Sequence, residues 1–218
     1  MRRALPVVIV VLAALLGVAL AAAMLELPPH AVRLPGDVAA NIAASGVTHP
    51  ITAVLLNFRG YDTLLEIAVL LLALFGVLAL VKPHAAIAGH PAHPLLQTLA
   101  RLLAPLMMLV AGYLLWVGAS APGGAFQAGA VLAAASVLLR LAGLLPGWAT
   151  PGWLLRAGLA LGLLVFVAVA ASVLGHAPLL TYPPAFAGGL ILMIETALTL
   201  SIGLTLAALY LASTEVRP

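Results

Sequence analysis

Four charged side chains stand inside or beside long apolar stretches of this sequence. Glu195 lies in GGLILMIETALTLSIG, and NFRGYDTLLEIAVL carries the other three, Arg59, Asp62 and Glu66. An ionisable side chain costs several kcal/mol at the centre of a bilayer, so each such group is a candidate for function rather than for packing. We predict that these four residues contribute to an ion or proton pathway.

Glu195 has no opposite charge within one helical turn. It could be neutral and exchange a proton, or be ionised opposite a cation or a basic group from another helix or subunit. The structural alternative is a glutamate that joins helices through hydrogen bonds. A third possibility is that it lies at a different depth from the mid-membrane position that its place in the apolar run indicates.

Asp62 and Glu66 are four residues apart and therefore share one face of a helix, where two carboxylates compete for one proton. That arrangement suits a proton or sodium relay. The alternative is that Thr63 and Glu66 form a capping box at the start of a helix, with Arg59 paired to Asp62. The two interpretations are compatible.

The sequence offers few residues that could bind a metal or a cofactor. His90 and His93 have ligand-like spacing, but no acidic residue or cysteine stands beside them, and the whole chain has no cysteine. Thiolate-held clusters are thus excluded, so we predict no metal site and no cofactor here, and any redox group belongs to another subunit. The glycines in SAPGGAFQAG could bind an anion at a helix start, but a tight turn is the simpler interpretation.

The elements that position these residues are membrane helices. Hydrophobic residues make up 65% of the chain and charged residues 7%, whereas soluble domains carry about 25% charged residues. Apolar runs of about 20 residues suffice to span a bilayer. We predict an all-α, polytopic membrane protein with about six spanning helices, at residues 5–25, 62–81, 95–117, 124–145, 153–174 and 186–212.

The distribution of basic residues predicts that both termini are cytoplasmic, because lysine and arginine are enriched on that side of membrane proteins. Arg33 and Arg59 then lie outside, with the segment 26–61, in which we expect an interfacial or re-entrant helix. Small residues in the fourth and fifth runs predict close helix packing. The basic residues placed inside are Arg2, Arg3, Lys82, Arg101, Arg140, Arg156 and Arg217.

Two segments resemble a known family. The first, ITAVLLNFRGYDTLLEIAVLLLALFGVLAL, resembles the end of the large A subunit of Mrp-type multisubunit cation/proton antiporters and the matching small subunit of membrane-bound energy-converting hydrogenases. Asn57 and Leu65 depart from the family pattern. The residues that carry the resemblance are Phe58, Arg59, Gly60, Tyr61, Asp62, Thr63, Leu64 and Glu66.

The second segment, QTLARLLAPLMMLVAGYLLWVGASAPGGAFQAGAV, is similar to the B subunit of the same antiporters, and Glu195 stands where that family has an acid in its last helix. The matching residues are Arg101, Pro105, Pro122, Gly123, Gly124, Phe126 and Gly129. The resemblances imply three parts: an A-subunit-tail-like module at 1–83, a cytoplasmic His/Pro-rich linker at 84–94, and a B-subunit-like module at 95–218.

The resemblance implies a non-catalytic subunit, in the inner cell membrane, of a complex that exchanges sodium for protons. Its partners would be the other subunits of that complex. Glu195, Glu66 and Asp62 would be carboxylate stations of the path, with Arg59 as a charge partner. The alternative is the equivalent subunit of a hydrogenase or other ferredoxin-linked complex related to respiratory complex I. A scaffold without an ion role and a self-sufficient small-solute carrier remain further hypotheses.

Overall fold

The computed structural model describes residues 4–26, 34–80, 93–145, 152–174 and 180–214. In that part of the chain every regular element is helical, which confirms the all-α class. The chain divides into two compact units, 1–37 and 38–218. The helices are α1 (Ala4–Leu25), α2 (Leu34–Ser45), α3 (Pro50–Ala53), a π-helix (Val54–Phe58), α4 (Gly60–Leu80), α5 (Pro94–Val117), α6 (Ala125–Leu141), α7 (Trp153–Val173) and α8 (Pro184–Thr214).

Helix α1, in the first unit, is apolar on every side. Its 22 residues extend about 33 Å at 1.5 Å per residue, comparable to the hydrocarbon thickness of a bilayer. Leucine and valine side chains around the helix, among them Val11, Leu15 and Val18, are exposed. A helix that is hydrophobic all round suits lipid or another membrane helix rather than water.

Each of the six predicted apolar runs forms a helix. Among the described residues, four helices are long and apolar enough to cross a membrane, namely α4, α5, α7 and α8. A fifth span is possible if α2 and the segment Pro50–Phe58, which are bent by 83° at their junction, count as one. The described apolar stretches of α1 and α6 are shorter. The count of six crossings and the cytoplasmic termini therefore stay predictions.

Helix α8 is the centre of the second unit. Buried residues make up 61% of its apolar stretch, against 17% to 28% for α4, α5 and α7. It packs against each of α4, α5, α6 and α7. At 31 residues, or about 46 Å, it is longer than the roughly 30 Å hydrocarbon core.

Glycines allow α6 and α7 to approach α8 closely, as the sequence predicts. A Cβ atom at Gly129 of α6 would lie 2.8 Å from the Ile202 side chain, and one at Gly162 of α7 would lie 2.8 Å from Ser201 Cβ. The Ser201 hydroxyl also donates a hydrogen bond of 2.6 Å to the Leu159 carbonyl oxygen. Close backbone approach with hydrogen bonds between helices is typical of membrane bundles.

Three connections meet at one end of the second unit. Gly46, after α2, has a φ of +71° and lies so close to Pro184 that a Cβ atom would be 2.6 Å from the Pro184 carbonyl oxygen. The Thr48 hydroxyl donates to the Ala119 carbonyl oxygen of the α5–α6 turn at 3.2 Å. The start of α4 meets the segment before α8, where Gly60 contacts Leu180.

Tyr182, just before α8, is a buried phenol without a hydrogen-bond partner among the described residues. It is 2% exposed and belongs to the same apolar cluster as Leu180 and Phe166. Burial raises the pKa of Tyr182 to about 12, because the phenolate would lose its hydration.

We expect Gly129→Val to destabilise the chain by about 1–3 kcal/mol, because the added side chain would overlap Ile202. The melting temperature of the detergent-purified chain measures the effect. Gly112→Val is the control, since in the described part of the chain no atom lies within 4 Å of a Cβ atom at Gly112. Equal melting temperatures for the two variants would contradict the packing described.

Tyr182→Phe should stabilise the chain by about 1 kcal/mol, because it removes a buried hydroxyl that makes no hydrogen bond while keeping the shape of the ring. The same thermal measurement applies, and Tyr113→Phe on the exposed side of α5 is the control. A lower melting temperature for Tyr182→Phe would mean that the hydroxyl makes a stabilising interaction.

Candidate ion site at Glu195

Glu195 is buried in the centre of the bundle. It lies about 16 Å along α8 from Pro184 at 1.5 Å per residue, and it is 6% exposed. It is the one buried charged side chain in the part of the chain that the structure describes. A buried carboxylate requires hydrogen-bond donors or a cation nearby, so its surroundings decide what it can do.

The α5–α6 turn brings a helix start to Glu195. The Gly124 backbone N–H donates to the Leu114 carbonyl oxygen at 2.9 Å, which folds residues 118–124 back on the end of α5. Gly123 lies so close to α5 that a Cβ atom would be 2.5 Å from the Leu114 carbonyl oxygen. Gly124 has a φ of +99°, a conformation that favours glycine. The predicted tight turn at Pro122-Gly123-Gly124 is therefore confirmed.

The Glu195 carboxylate faces the N-terminus of α6. It accepts a hydrogen bond from the Ala125 backbone N–H, and a Cβ atom at Gly124 would lie 2.8 Å from Glu195 Oε1. The first N–H groups of a helix have no partner within the helix and carry partial positive charge. The start of α6 after the glycine-rich turn thus donates a backbone hydrogen bond to a carboxyl side chain of the same protein.

A cavity of about 80 Å³ adjoins the carboxylate. Such a space holds several water molecules, since one water needs roughly 10–15 Å³ measured in this way. Polar side chains on its wall come from four parts of the fold, and the rest of the wall is mainly apolar. The lining residues are His49, Ile51, Thr52, Leu55, Leu56, Thr63, Pro122, Gly123, Gly124, Ala125, Phe126, Gln127, Glu195 and Leu198.

Thr52 and His49 form a small hydrogen-bonded group on the cavity wall. The Thr52 hydroxyl donates to the Gly118 carbonyl oxygen at 2.7 Å, and His49 Nδ1 lies 3.3 Å from the same hydroxyl oxygen. A hydroxyl has one proton, so once it is donated to Gly118 the interaction with Nδ1 requires a proton on Nδ1. In the neutral ring, Nε2 of His49 is then an acceptor.

The π-helix explains why the predicted capping box is wrong. The Arg59 N–H donates to the Val54 carbonyl oxygen at 2.8 Å, five residues back, and α4 begins directly afterwards at Gly60. Thr63 therefore lies inside α4, and its hydroxyl donates to the Leu55 carbonyl oxygen at 2.7 Å instead of accepting from a free N–H. Thr63 also lines the cavity.

The other three candidate residues lie apart from the cavity. Arg59 and Asp62 form an ion pair of 2.5 Å with side chains that are 62% and 46% exposed. Glu66 is exposed on α4. Of the four residues predicted for the ion pathway, the cavity therefore includes Glu195 alone, and α4 reaches it through Thr63.

The remaining residues of the predicted motifs fall into two groups, those that line the cavity and those that are exposed. Pro122, Gly123, Gly124 and Phe126 line the cavity, whereas Arg101 and Pro105 are exposed on α5. The Nδ1 atom of His93 accepts from the Leu95 N–H at the start of α5, while its predicted metal partner His90 and most of the linker 84–94 lie outside the described residues. Within the described ranges, no three His, Asp or Glu side chains gather as a metal site would require.

Sequence reasoning missed His49, Thr52 and Gln127 as cavity residues. None of the three has a spacing that signals a site. Thr52 meets the α5–α6 turn only through a contact between residues 66 positions apart in the sequence, which no local pattern reveals.

Comparison with known proteins gives a family. A domain related to the MnhB subunit of Na+/H+ antiporters matches residues 95–213, which is more than half of the chain. No curated protein sequence matches.

Two solved structures are similar. One is a chain of the membrane-bound sulfane sulfur reductase, an archaeal respiratory membrane complex, with 25% identity, a TM-score of 0.73 and 98% coverage of both chains. The other is a chain of the Mrp complex from Dietzia sp. DQ12-45-1b, with 23% identity and a TM-score of 0.65. That match covers 96% of this chain but 26% of the other, so this protein spans about a quarter of that longer chain, and the likeness concerns the fold. The protein is a multi-pass membrane protein that belongs to the family of domains related to the MnhB subunit of Na+/H+ antiporters.

Proposed function

We propose that this protein is a membrane subunit of a multisubunit Na+/H+ antiporter complex of the Mrp type. In this proposal it sits in the inner cell membrane, catalyses no reaction of its own, and contributes carboxylates to the path of a cation or proton. The family match over residues 95–213 and the fold shared with a chain of an Mrp complex support the assignment.

The observation that carries the proposal is the setting of Glu195. A carboxylate that is 6% exposed lies at the start of α6 and borders a cavity with room for water. The Ala125 N–H contacts the carboxyl group from the α6 side, and the cavity lies beside the same group. A buried carboxyl group with a hydrogen-bond donor and space for water beside it suits the gain and loss of a proton or a cation during transport.

Exposed charges on membrane helices support the proposal that the protein works among other subunits. Glu66 on α4 and Arg101 on α5 are exposed in the isolated chain. A charged group that faces lipid acyl chains is costly, so it usually faces a polar group of a neighbouring helix instead. Glu66 and Asp62, with Arg59, would form a second station of the path at such an interface.

A second candidate function follows from the end-to-end likeness to the archaeal complex. The match to a chain of the sulfane sulfur reductase covers 98% of both proteins. This favours the equivalent subunit of a redox-driven membrane complex related to respiratory complex I. Because the chain has no cysteine, thiolate-held clusters for electron transfer would belong to partner subunits.

The modular organisation remains part of the proposal. The family match begins at residue 95, where the predicted B-subunit-like module 95–218 begins. The A-subunit-tail-like module 1–83 and the linker 84–94 would then join the two parts of the complex in one chain.

Purification of the tagged chain from its native membrane distinguishes the two candidates. Large antiporter subunits in the purified complex would support the Mrp-type assignment, and nickel or iron–sulfur subunits would support the redox-driven one. Cation exchange by the purified chain alone in liposomes would contradict both and favour a self-sufficient carrier.

We expect Glu195→Gln to lower sodium/proton exchange by about tenfold, equal to about 1.4 kcal/mol, because an amide cannot exchange a proton. Exchange is measured in membrane vesicles with a pH-sensitive dye, and assembly by co-purification. Glu66→Gln makes the same chemical change at the second proposed station and should also lower exchange. Unchanged exchange in both variants, with the complex assembled, would favour the scaffold hypothesis.

Gly124→Ala should also lower exchange, because its Cβ atom would lie 2.8 Å from Glu195 Oε1 and displace the carboxylate. Gly143→Ala is a matched control: Gly143 also has a positive φ, +69°, but no atom of the described residues lies within 4 Å of a Cβ atom there. Both variants carry backbone strain, so a selective loss of exchange in Gly124→Ala reports the contact with Glu195. An equal loss in both would assign the effect to strain.

A further inference from the structure

Two threonine hydroxyls on the cavity beside Glu195 donate their protons to backbone carbonyl oxygens. A threonine hydroxyl has one proton and two lone pairs. Thr52 donates its proton to the Gly118 carbonyl oxygen and Thr63 donates its proton to the Leu55 carbonyl oxygen, both at 2.7 Å. Neither hydroxyl has a proton left for the cavity, so each can offer only lone pairs, and one lone pair of Thr52 already accepts from His49 Nδ1.

Thr52, Thr63 and Glu195 are buried residues with acceptor oxygens, and all three line the same cavity. Thr52 is 6% exposed, Thr63 2% and Glu195 6%. They come from α3, α4 and α8, three elements distant in sequence. Oxygen acceptors of this kind attract a hard cation or the protons of water.

Charge and volume define the class of cation. Among the described residues that line the cavity, Glu195 is the one acidic side chain and His49 is the one other titratable side chain. A single carboxylate balances one positive charge, whereas calcium and magnesium sites usually draw on further acidic ligands, phosphates or many oxygens. A volume of about 80 Å³ leaves room for an ion with a few of its water molecules.

We propose that this cavity is a binding site for a partly hydrated monovalent cation, held by the Glu195 carboxylate and by the hydroxyl oxygens of Thr52 and Thr63. The site deepens the proposed function and rests on it, because it names where in this chain the transported cation binds. Gln127, which lines the cavity and is exposed, marks its rim.

The chain has no cysteine, so a single cysteine can report on the cavity. In the complex purified from its native membrane, Gln127→Cys reacts with a positively charged methanethiosulfonate, and the mass of this chain gives the rate. We expect sodium chloride to slow the reaction severalfold relative to N-methylglucamine chloride at equal ionic strength, because bound sodium occupies the cavity and repels the reagent. Ser120→Cys, which is exposed in the α5–α6 turn and is not one of the residues that line the cavity, is the control and should react equally in both salts.

Two further substitutions in the Gln127→Cys background identify the ligands. Glu195→Gln should abolish the effect of sodium, and Thr63→Val, which keeps the shape of the side chain and removes its oxygen, should weaken it. Equal rates in the two salts, or an undiminished sodium effect with Glu195→Gln, would overturn the proposed site.

The labelling rate does not depend on transport, so the two proposals can fail separately. A loss of exchange in Glu195→Gln without any sodium effect on labelling would overturn this site and leave the proposed function standing. A sodium effect that requires Glu195, together with normal exchange in Glu195→Gln, would support the site and contradict the transport role of Glu195.

Discussion

A buried carboxylate at the start of a helix is the interaction on which this site depends. Glu195 loses its hydration in the centre of the bundle, and the Ala125 N–H with the positive end of α6 replaces part of it. That contact requires α6 to begin beside α8. It therefore requires the tight α5–α6 turn, in which Gly124 adopts a φ of +99° and leaves room for the carboxylate. The conformation of Gly124 thus determines how α5, α6 and α8 meet at the Glu195 carboxyl group.

The helices could be predicted from the sequence because their signal is local. Twenty apolar residues in a row, ended by proline, glycine or a charge, indicate a membrane helix without knowledge of its neighbours. Glu195 and the Pro122-Gly123-Gly124 turn were also recognisable, each from its own surroundings in the sequence. The contact between Glu195 and the start of α6 could not be recognised, because it joins residues about 70 positions apart and depends on the register of α6 against α8.

The errors in the sequence interpretation have a physical cause as well. A capping box at Thr63 presumes that a helix begins there, but the π-helix before Arg59 carries the chain almost without interruption into α4. The hydroxyl then satisfies a carbonyl oxygen of the π-helix. His49 and Thr52 could not be recognised as cavity residues from the sequence, because they reach the cavity through contacts with the distant α5–α6 turn. The number of membrane crossings could not be predicted either, because it depends on how the 83° bend after α2 lies in the membrane.

The interlocked glycines on both sides of α8 have a mechanical consequence. Gly129 meets Ile202 on one side and Gly162 meets Ser201 on the other, with a hydrogen bond from Ser201 to Leu159. Ser201 and Ile202 are consecutive residues, so these two close contacts together define how α8 is rotated about its axis relative to α6 and α7. The segment 46–58 reaches the α5–α6 turn through hydrogen bonds from Thr48 and Thr52, and it also packs closely on Pro184 at Gly46 and places Leu56 in the apolar core. The same rotation of α8 that seats the two glycines directs Glu195, which precedes Ser201 on that helix, toward the start of α6.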